Sequence, residues 1–264
     1  MTELYENWCD DDQTRCRRKT LWRLSELAEG RKYALEELPG RVLNHYVSDD
    51  EIACFLETLG YPAVAECVRT LLPEGTIGRS GDLGEILAAE FVEERLGYEV
   101  PVRKLRDKDH RDMPMRGEDV IGVAHDDDNR LTLLKGEAKS AQALSRGTVE
   151  TARERLDGDY GRPSAHSLVF VARKLIQSDD PDRKELGKEI LREATSRAMS
   201  VRRFAHLLFT LTGNRVDQAI QNDLDGADGS RPQHSVNLRI PDHRDFVEAV
   251  YKGAYEEAGS VGDG

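Results

Sequence analysis

Long apolar runs are missing from this chain. Its uninterrupted apolar stretches are short, such as Leu168 to Ala172, whereas a membrane-spanning helix needs about 20 apolar residues in a row. The acidic opening MTELYENWCDDD has neither the basic nor the apolar region of a secretory signal. These absences set the expectation of a cytoplasmic protein with no membrane partner. Cysteine is scarce and badly spaced for metal. Cys9, Cys16, Cys54 and Cys67 all lie in roughly the first quarter and form no CxxC pair, so they read as free thiols. Net positive charge is missing too: 38 Lys and Arg face 50 Asp and Glu, for a formal charge of -12. Such a surface repels a polyanion, so any nucleic-acid binding must come from a local basic patch or from a partner.

What is present suits an ordinary globular protein. With 264 residues, the chain can bury roughly 75% of the surface its unfolded form exposes, and it needs no disulfide or metal to hold a core. Hydrophobic residues make up 38% and fall in compact stretches separated by turns, which excludes general disorder. No internal repeat is visible. The chain divides near Pro73 to Gly78, giving an expected helical annex over 1–78 and a main domain over 79–264. In the annex, Leu21 to Leu38 and Ser48 to Leu72 repeat apolar residues at three- and four-residue spacing, with Ser48 as an N-cap. Beyond it, a helix is expected from about Gly81 to Leu96, closed by Gly97, then a strand near Tyr98 to Leu105. Val120 to Ala124 and Leu131 to Ala138, joined by the turn run HDDDN, read as a hairpin. A helix over Ala141 to Leu156, a strand over Ser167 to Ala172, a helix after Pro181 and a strand over Phe204 to Leu211 follow. Asn222 to His234 reads as a loop, and Pro241 to Glu257 as the last helix. Helices alternating with strands imply an α/β fold with a mixed sheet and crossover helices on its faces.

The chemistry-bearing residues lie between Gly84 and Lys139. Glu137 and Lys139 are two apart on a strand and so share one face. Gly136 and Ala138 are small, which allows close approach and leaves the Ala138 carbonyl available as an oxygen ligand. Asp119 opens the neighbouring strand of the hairpin, so pairing can bring it beside Glu137. Two such carboxylates suit a hard divalent cation, Mg²⁺ with Mn²⁺ as its substitute, which can hold a phosphate oxygen and acidify a bound water.

This set resembles the PD-(D/E)xK nuclease superfamily, with Asp119 followed by Glu137-Ala138-Lys139 and with Glu85 on the preceding helix as a further acid. The chain has Glu118 where the proline of that motif's name would stand. A narrower resemblance rests on Gly84-Glu85, on Met113-Pro114 before Gly117-Glu118-Asp119, and on Gly136-Glu137-Ala138-Lys139. Over about the C-terminal two-thirds, the chain is similar to the HamA family, nuclease subunits of the Hachiman anti-phage defence system of bacteria. The resemblance implies a restriction-endonuclease-like mixed sheet flanked by helices, DNA as substrate, and a superfamily 2 helicase partner of the HamB kind. It also implies that Asp119 and Glu137 hold the metal, that Glu85 supports the metal or its water, and that Lys139 orients or deprotonates the attacking water. Two other readings remain open at this stage: a non-catalytic adaptor that anchors a helicase, and a restriction or repair nuclease of the same fold.

Several other features need a choice. Pro181-Asp182-Arg183-Lys184 matches the written motif, but Asp180 and Pro181 read as an N-cap and first-turn pair opening a helix, where Asp182 and Lys184 would diverge. Arg103, Lys104, Arg106, Lys108, Arg111 and Arg116 outnumber the three acids among them and form a candidate phosphate-contacting loop, the alternative being a solvated, charge-mixed loop. Arg15, Arg17, Arg18 and Lys19 read as a partner contact or a solvated helix face. His206 reads as a core histidine, and Asp223, Asp225 and Asp228 as turn residues.

Overall fold

A short helix, α1 (Leu4–Trp8), runs directly into a hairpin of β1 (Cys9–Cys16) and β2 (Lys19–Glu26). The structure, a computed structural model, describes residues 3–196 and 198–261. Four helices follow: α2 (Gly30–Tyr46), α3 (Asp49–Leu59), α4 (Ala63–Leu71) and α5 (Thr76–Leu96). The second hairpin is β3 (Val120–His125) and β4 (Leu131–Ala141). Then come α6 (Arg146–Gly161), α7 (Ala165–Gln177), α8 (Pro181–Ser196), β5 (Phe204–Thr212), α9 (Asp217–Gly226), β6 (Gln233–Arg239) and α10 (His243–Ala258).

The strands form one mixed sheet in the order β1-β2-β6-β5-β4-β3. The two hairpins are antiparallel, and the four central strands run parallel to one another. One face packs against α2, α5 and α10 through Leu83, Leu87, Leu134, Phe209 and Val236. The other face carries α7 and α8 over Ile121 and Leu133, and α6 and α9 over Leu21 and Leu208. This is the expected α/β sandwich of a mixed sheet between helical layers.

The first 78 residues correct the expectation for that region. Leu21 to Glu26 is strand, not helix, and β2 pairs in parallel with β6 from Lys19↔Gln233 to Ser25↔Arg239. The sheet therefore runs across the boundary drawn near Gly78. The periodicity misleads because Leu21 faces one helical layer while Trp22 and Leu24 face the other. A strand buried on both sides loses the period-two alternation that would identify it. The scarce aromatics are concentrated at this junction: Trp8 stacks on Phe246 at 5.4 Å, and Tyr5 and Trp22 meet Phe91 edge-on at 5.3 and 5.2 Å. After the short α1, helical structure resumes at Gly30, and Ser48 caps α3 with a reciprocal capping box to Glu51, as its position predicts.

Three further elements differ from expectation. The segment after Gly97 makes only one bridge to the sheet, Glu99↔Val123, because Pro101 has no N–H to continue a ladder. Ser167 to Ala172 lies in α7. Ser164 caps that helix by accepting from the Ser167 N–H, and Leu168, Val171, Ala172 and Leu175 bury one face of it, so the helical period wins over a β-rich composition. Within the expected loop Asn222 to His234, α9 occupies the start and β6 begins at Gln233. β6 carries buried Ser235 and Asn237 between its apolar residues, and Asn237 is satisfied by Asp217 and by the Thr210 and Thr212 hydroxyls.

Because the first two strands and their aromatics belong to the common core, the N-terminal region cannot be detached. Deleting the chain up to Leu27 is expected to abolish cooperative unfolding, and Leu24→Ala alone to cost about 2–5 kcal/mol. A truncated chain with native circular dichroism and a sharp melt would contradict the architecture.

Candidate active site

The antiparallel register of β3 and β4 pairs Val120 with Gly136. Continued by one residue, it sets Asp119 opposite Glu137. The Asp119 Oδ2 accepts a hydrogen bond from the Ala138 N–H at 2.8 Å, which fixes the carboxylate against the strand. Gly136 permits this pairing, since a Cβ there would sit 3.0 Å from the Val120 Cβ. Gly117 makes the approach turn at φ +94°, and a side chain on it would collide with Ser167. That turn sends Glu118 to the start of α7, where its carboxylate accepts from the Ser164 N–H at 2.7 Å and the Ser164 hydroxyl at 3.1 Å. Glu118 thus anchors a helix end, and Asp119 alone enters the site.

Glu137 and Lys139 share a face as expected. The Lys139 Nζ lies 2.5 Å from Glu137 Oε1 and 3.2 Å from the Ala138 carbonyl. The fourth predicted residue, Glu85, comes from the helix on the other side of the sheet. Gly84 brings that helix close, since its missing Cβ would stand 2.9 Å from the Ser140 Cβ. Glu85 meets Asp119 through Lys104, whose ammonium is 3.0 Å from Glu85 Oε2 and 3.6 Å from Asp119 Oδ1. All four predicted residues therefore line one connected charged cluster. Among the described residues, no three His, Cys, Asp or Glu side chains converge as a ready-made metal cage. Lys104 stands between Glu85 and Asp119 instead, and Lys139 and Arg155 sit against Glu137.

The cluster is electrostatically tense. Glu137 is only 4% exposed; burial and then the Asp119 charge raise its pKa, while Lys139 and Arg155 oppose the rise. Burial, with Asp119 second, pushes Glu85 up to about 8. Burial alone would depress Lys104, but the charges of Glu85 and Asp119 overcome it and raise its pKa. Burial and the neighbouring Asp119 charge thus push Glu85 and Glu137 the same way, and the cations beside them, Lys104 at Glu85 and Lys139 at Glu137, oppose the rise.

Sequence reasoning missed two participants. Arg155 on α6 donates to Glu137 Oε1 at 2.9 Å while its side chain stays 60% exposed. Its place beside Ala152 and Leu156, which bury against the sheet, was the available signal. For Lys104 the sequence predicts a phosphate contact but not its role as the counter-ion of Glu85 and Asp119. Its neighbours in the basic loop are also paired internally. Arg103 binds Glu93 at 2.5 Å, Arg106 the Asn44 carbonyl at 3.0 Å, Lys108 the buried Asp82 at 2.7 Å, and Arg111 Glu74 at 2.7 Å. Arg116 is exposed and, among the described residues, has no carboxylate partner.

The competing motif and His206 resolve as expected. Asp180 accepts from the Asp182 N–H at 2.8 Å at the start of α8, so it is a cap. His206 is fully buried, bonds the Gly161 carbonyl at 2.8 Å, and is depressed by desolvation to about 3. Asp223 lies in α9 and pairs with Arg153 at 2.8 Å. Arg15 to Lys19 form a hairpin tip, not a helix face, with Arg18 and Lys19 bonded to the Ser230 and Asp225 carbonyls.

Comparison with known proteins gives the arrangement a family. The family model described as HamA matches residues 3–254. The chain belongs to the HamA family. It is also 25% identical over 236 residues to the Hachiman protein HamA of Bacillus cereus, covering 85% of this chain and 79% of that relative. The match extends through the N-terminal strands, in keeping with their place in the sheet of this HamA family member.

The raised Glu85 pKa has a measurable consequence. Below its ordinary value of 4.5, both folded and unfolded chains are protonated and the contribution to stability is fully present. As pH rises, the unfolded chain ionises first, so stability is lost through the window up to about 8. Urea denaturation in metal-free buffer is expected to show stability falling across that window, with a shallower fall in Glu85→Gln. Identical slopes for the two proteins would contradict the assignment.

Proposed function

We propose that this chain is a metal-dependent deoxyribonuclease that works with a helicase partner in Hachiman anti-phage defence. The observation that carries the reading is the pairing of Asp119 with Glu137 and Lys139 on one strand face, with Asp119 bonded to the Ala138 N–H. An adaptor requires no such set of residue types.

The donor chemistry fits a hard cation. Asp119 and Glu137 supply carboxylate oxygens, the Ala138 carbonyl a third oxygen, and Mg²⁺ commonly takes only one or two carboxylates and completes its shell with water and phosphate. Burial first and the Asp119 charge second raise both Glu85 and Glu137, which favours added positive charge beside Asp119. Asp119 and Glu137 would hold the ion, with Glu85 supporting it or its water. Such an ion supplies Lewis acidity toward a phosphate oxygen and lowers the pKa of a bound water. Lys139 would orient the attacking water and offset charge developing on the phosphate. Arg155, reaching Glu137 from the exposed side, would steady the same phosphate. Glu118 takes no part in the chemistry and holds the start of α7.

The acid-rich chain supports a division of labour. Five of the six basic residues in the 101–116 loop are committed to internal partners, so most of the polyelectrolyte affinity for DNA would come from the helicase. The helices of the first 78 residues and the Arg15 to Lys19 hairpin tip are candidate contacts for it.

The test uses the full chain, alone and co-expressed with a superfamily 2 helicase of the HamB kind, on supercoiled plasmid in Mg²⁺ or EDTA, with and without ATP. Cutting is expected to need Mg²⁺ and the engaged helicase. Glu137→Ala and Lys139→Ala should each lower it by about 100-fold or more without changing the fold. Wild-type cutting by Lys139→Ala would sink the nuclease assignment. Vigorous cutting by the isolated chain, with no helicase complex, would refute the control model alone.

A further inference from the structure

Beyond the edge of β3 lies a cavity of about 490 Å³ that the catalytic reading leaves unused. It sits between α5 and α7 and is roofed by the 101–116 loop. Asp119 and Glu85 form part of its wall, so it opens directly onto the carboxylate cluster. Val102, Val120, Ile121 and Phe170 give it an apolar side facing the charged Glu85, Lys104 and Asp119, and the exposed His166 and Arg116 also line it. Met113, also in the lining, is 63% exposed, unusual for an apolar side chain with a pocket beside it. The volume lies within the roughly 300–1,000 Å³ range of small-ligand sites.

We propose that this cavity takes one unpaired nucleobase of the strand being cut, making single-stranded or locally melted DNA the preferred substrate. The inference rests on the nuclease reading and deepens it. A group bound here would be adjacent to a phosphate held at Asp119, as a base is to its own backbone. Phe170 and the thioethers of Met113 and Met115 offer a polarizable surface for a planar heteroaromatic ring. The exposed His166 can exchange hydrogen bonds with a base edge, and Arg116 can face the backbone phosphate without first breaking an ion pair. A paired base cannot enter, because its edge is engaged by its complement and its faces by the stack. The preference also explains what a helicase would contribute, since unwinding produces the substrate that fits.

The test uses the full-length Lys139→Ala protein, so that DNA is bound but not cut, with a short oligonucleotide carrying 2-aminopurine, single-stranded or annealed to its complement. The single strand is expected to bind about tenfold more tightly than the duplex, with a change in 2-aminopurine emission on binding. Val102→Trp, which fills the cavity, should abolish the emission change and the strand preference. Phe170→Ala should weaken both, and thermal melts would verify that each variant is folded. A parallel arm follows Mg²⁺-dependent cutting by the unmutated chain with its helicase. Cutting with equal affinity for the two DNA forms and no emission change on the Lys139→Ala protein would overturn the cavity proposal and spare the nuclease. Single-strand preference with the emission change, but no cutting of any DNA, would support the cavity and overturn the nuclease reading.

Discussion

The pairing of Asp119 against Glu137 is set by the register of one hairpin, and the charged cluster is organised around it. Sheet side chains alternate, so a slip of one residue would send Glu137 and Lys139 to the α5 face and leave Asp119 without its partner. Several local features hold the register. At the turn, Asp126 accepts from the Asp128 and Arg130 N–H groups at 3.0 and 2.9 Å, and Asn129 takes the left-handed conformation. At the other end, Val120 closes over Gly136, and in between the Thr132 hydroxyl bonds the Ala124 carbonyl at 3.1 Å. On its far side β4 pairs along Leu133 to Ala141 with β5, every residue of which is buried. The site thus stands on the rigid interior of the sheet, and the loops around it adjust to that frame.

Burying three carboxylates beside this hairpin costs free energy that the chain offsets with its own cations. Lys104 stands between Glu85 and Asp119, and Lys139 and Arg155 converge on Glu137. The same economy runs through the adjoining loop, where Lys108 neutralises Asp82 beside the Tyr46 hydroxyl and Arg103 answers Glu93. Charges used in this way fix the loop over the sheet edge and are withdrawn from the surface available to a polyanion. The resulting molecule is well ordered around its cluster and poorly equipped to collect DNA unaided, which is why the proposed function includes a partner.

Much of the site could be read in the sequence because its geometry is local. Two residues on one strand and a third on its hairpin partner need only the period of a strand and a recognisable turn, and Asp119, Glu137 and Lys139 fell where those rules put them. Glu85 was legible only through the resemblance, which implies a further acid on the preceding helix. The roles of Lys104 and Arg155 were not, because a cation's partner depends on which element packs beside it, and that is a tertiary fact. The fold shows the same division. The 120–141 hairpin, α5 with its Gly97 stop and the capped helices followed from local signals. β2 and β6 did not: they lie inside the sheet with both faces covered, and their patterns imitate a helix and a polar loop. Ser167 to Ala172 was misjudged for the opposite reason, since β-favouring residue types hid a helical period completed only at Leu175.

The central claim is that this cluster is a carboxylate site for a divalent ion, held in the absence of metal by lysine and a retained proton. Isothermal titration of Mg²⁺ into the full chain near neutral pH, repeated in buffers of different ionisation enthalpy, measures both parts at once. The account predicts saturable binding with release of about one proton per ion, no proton release in Glu85→Gln, and no binding in a Glu137→Gln, Asp119→Asn double variant that still melts cooperatively. Mg²⁺ binding that is undetectable in the wild-type chain and remains so with its helicase present, or binding unchanged in the double variant, would contradict it.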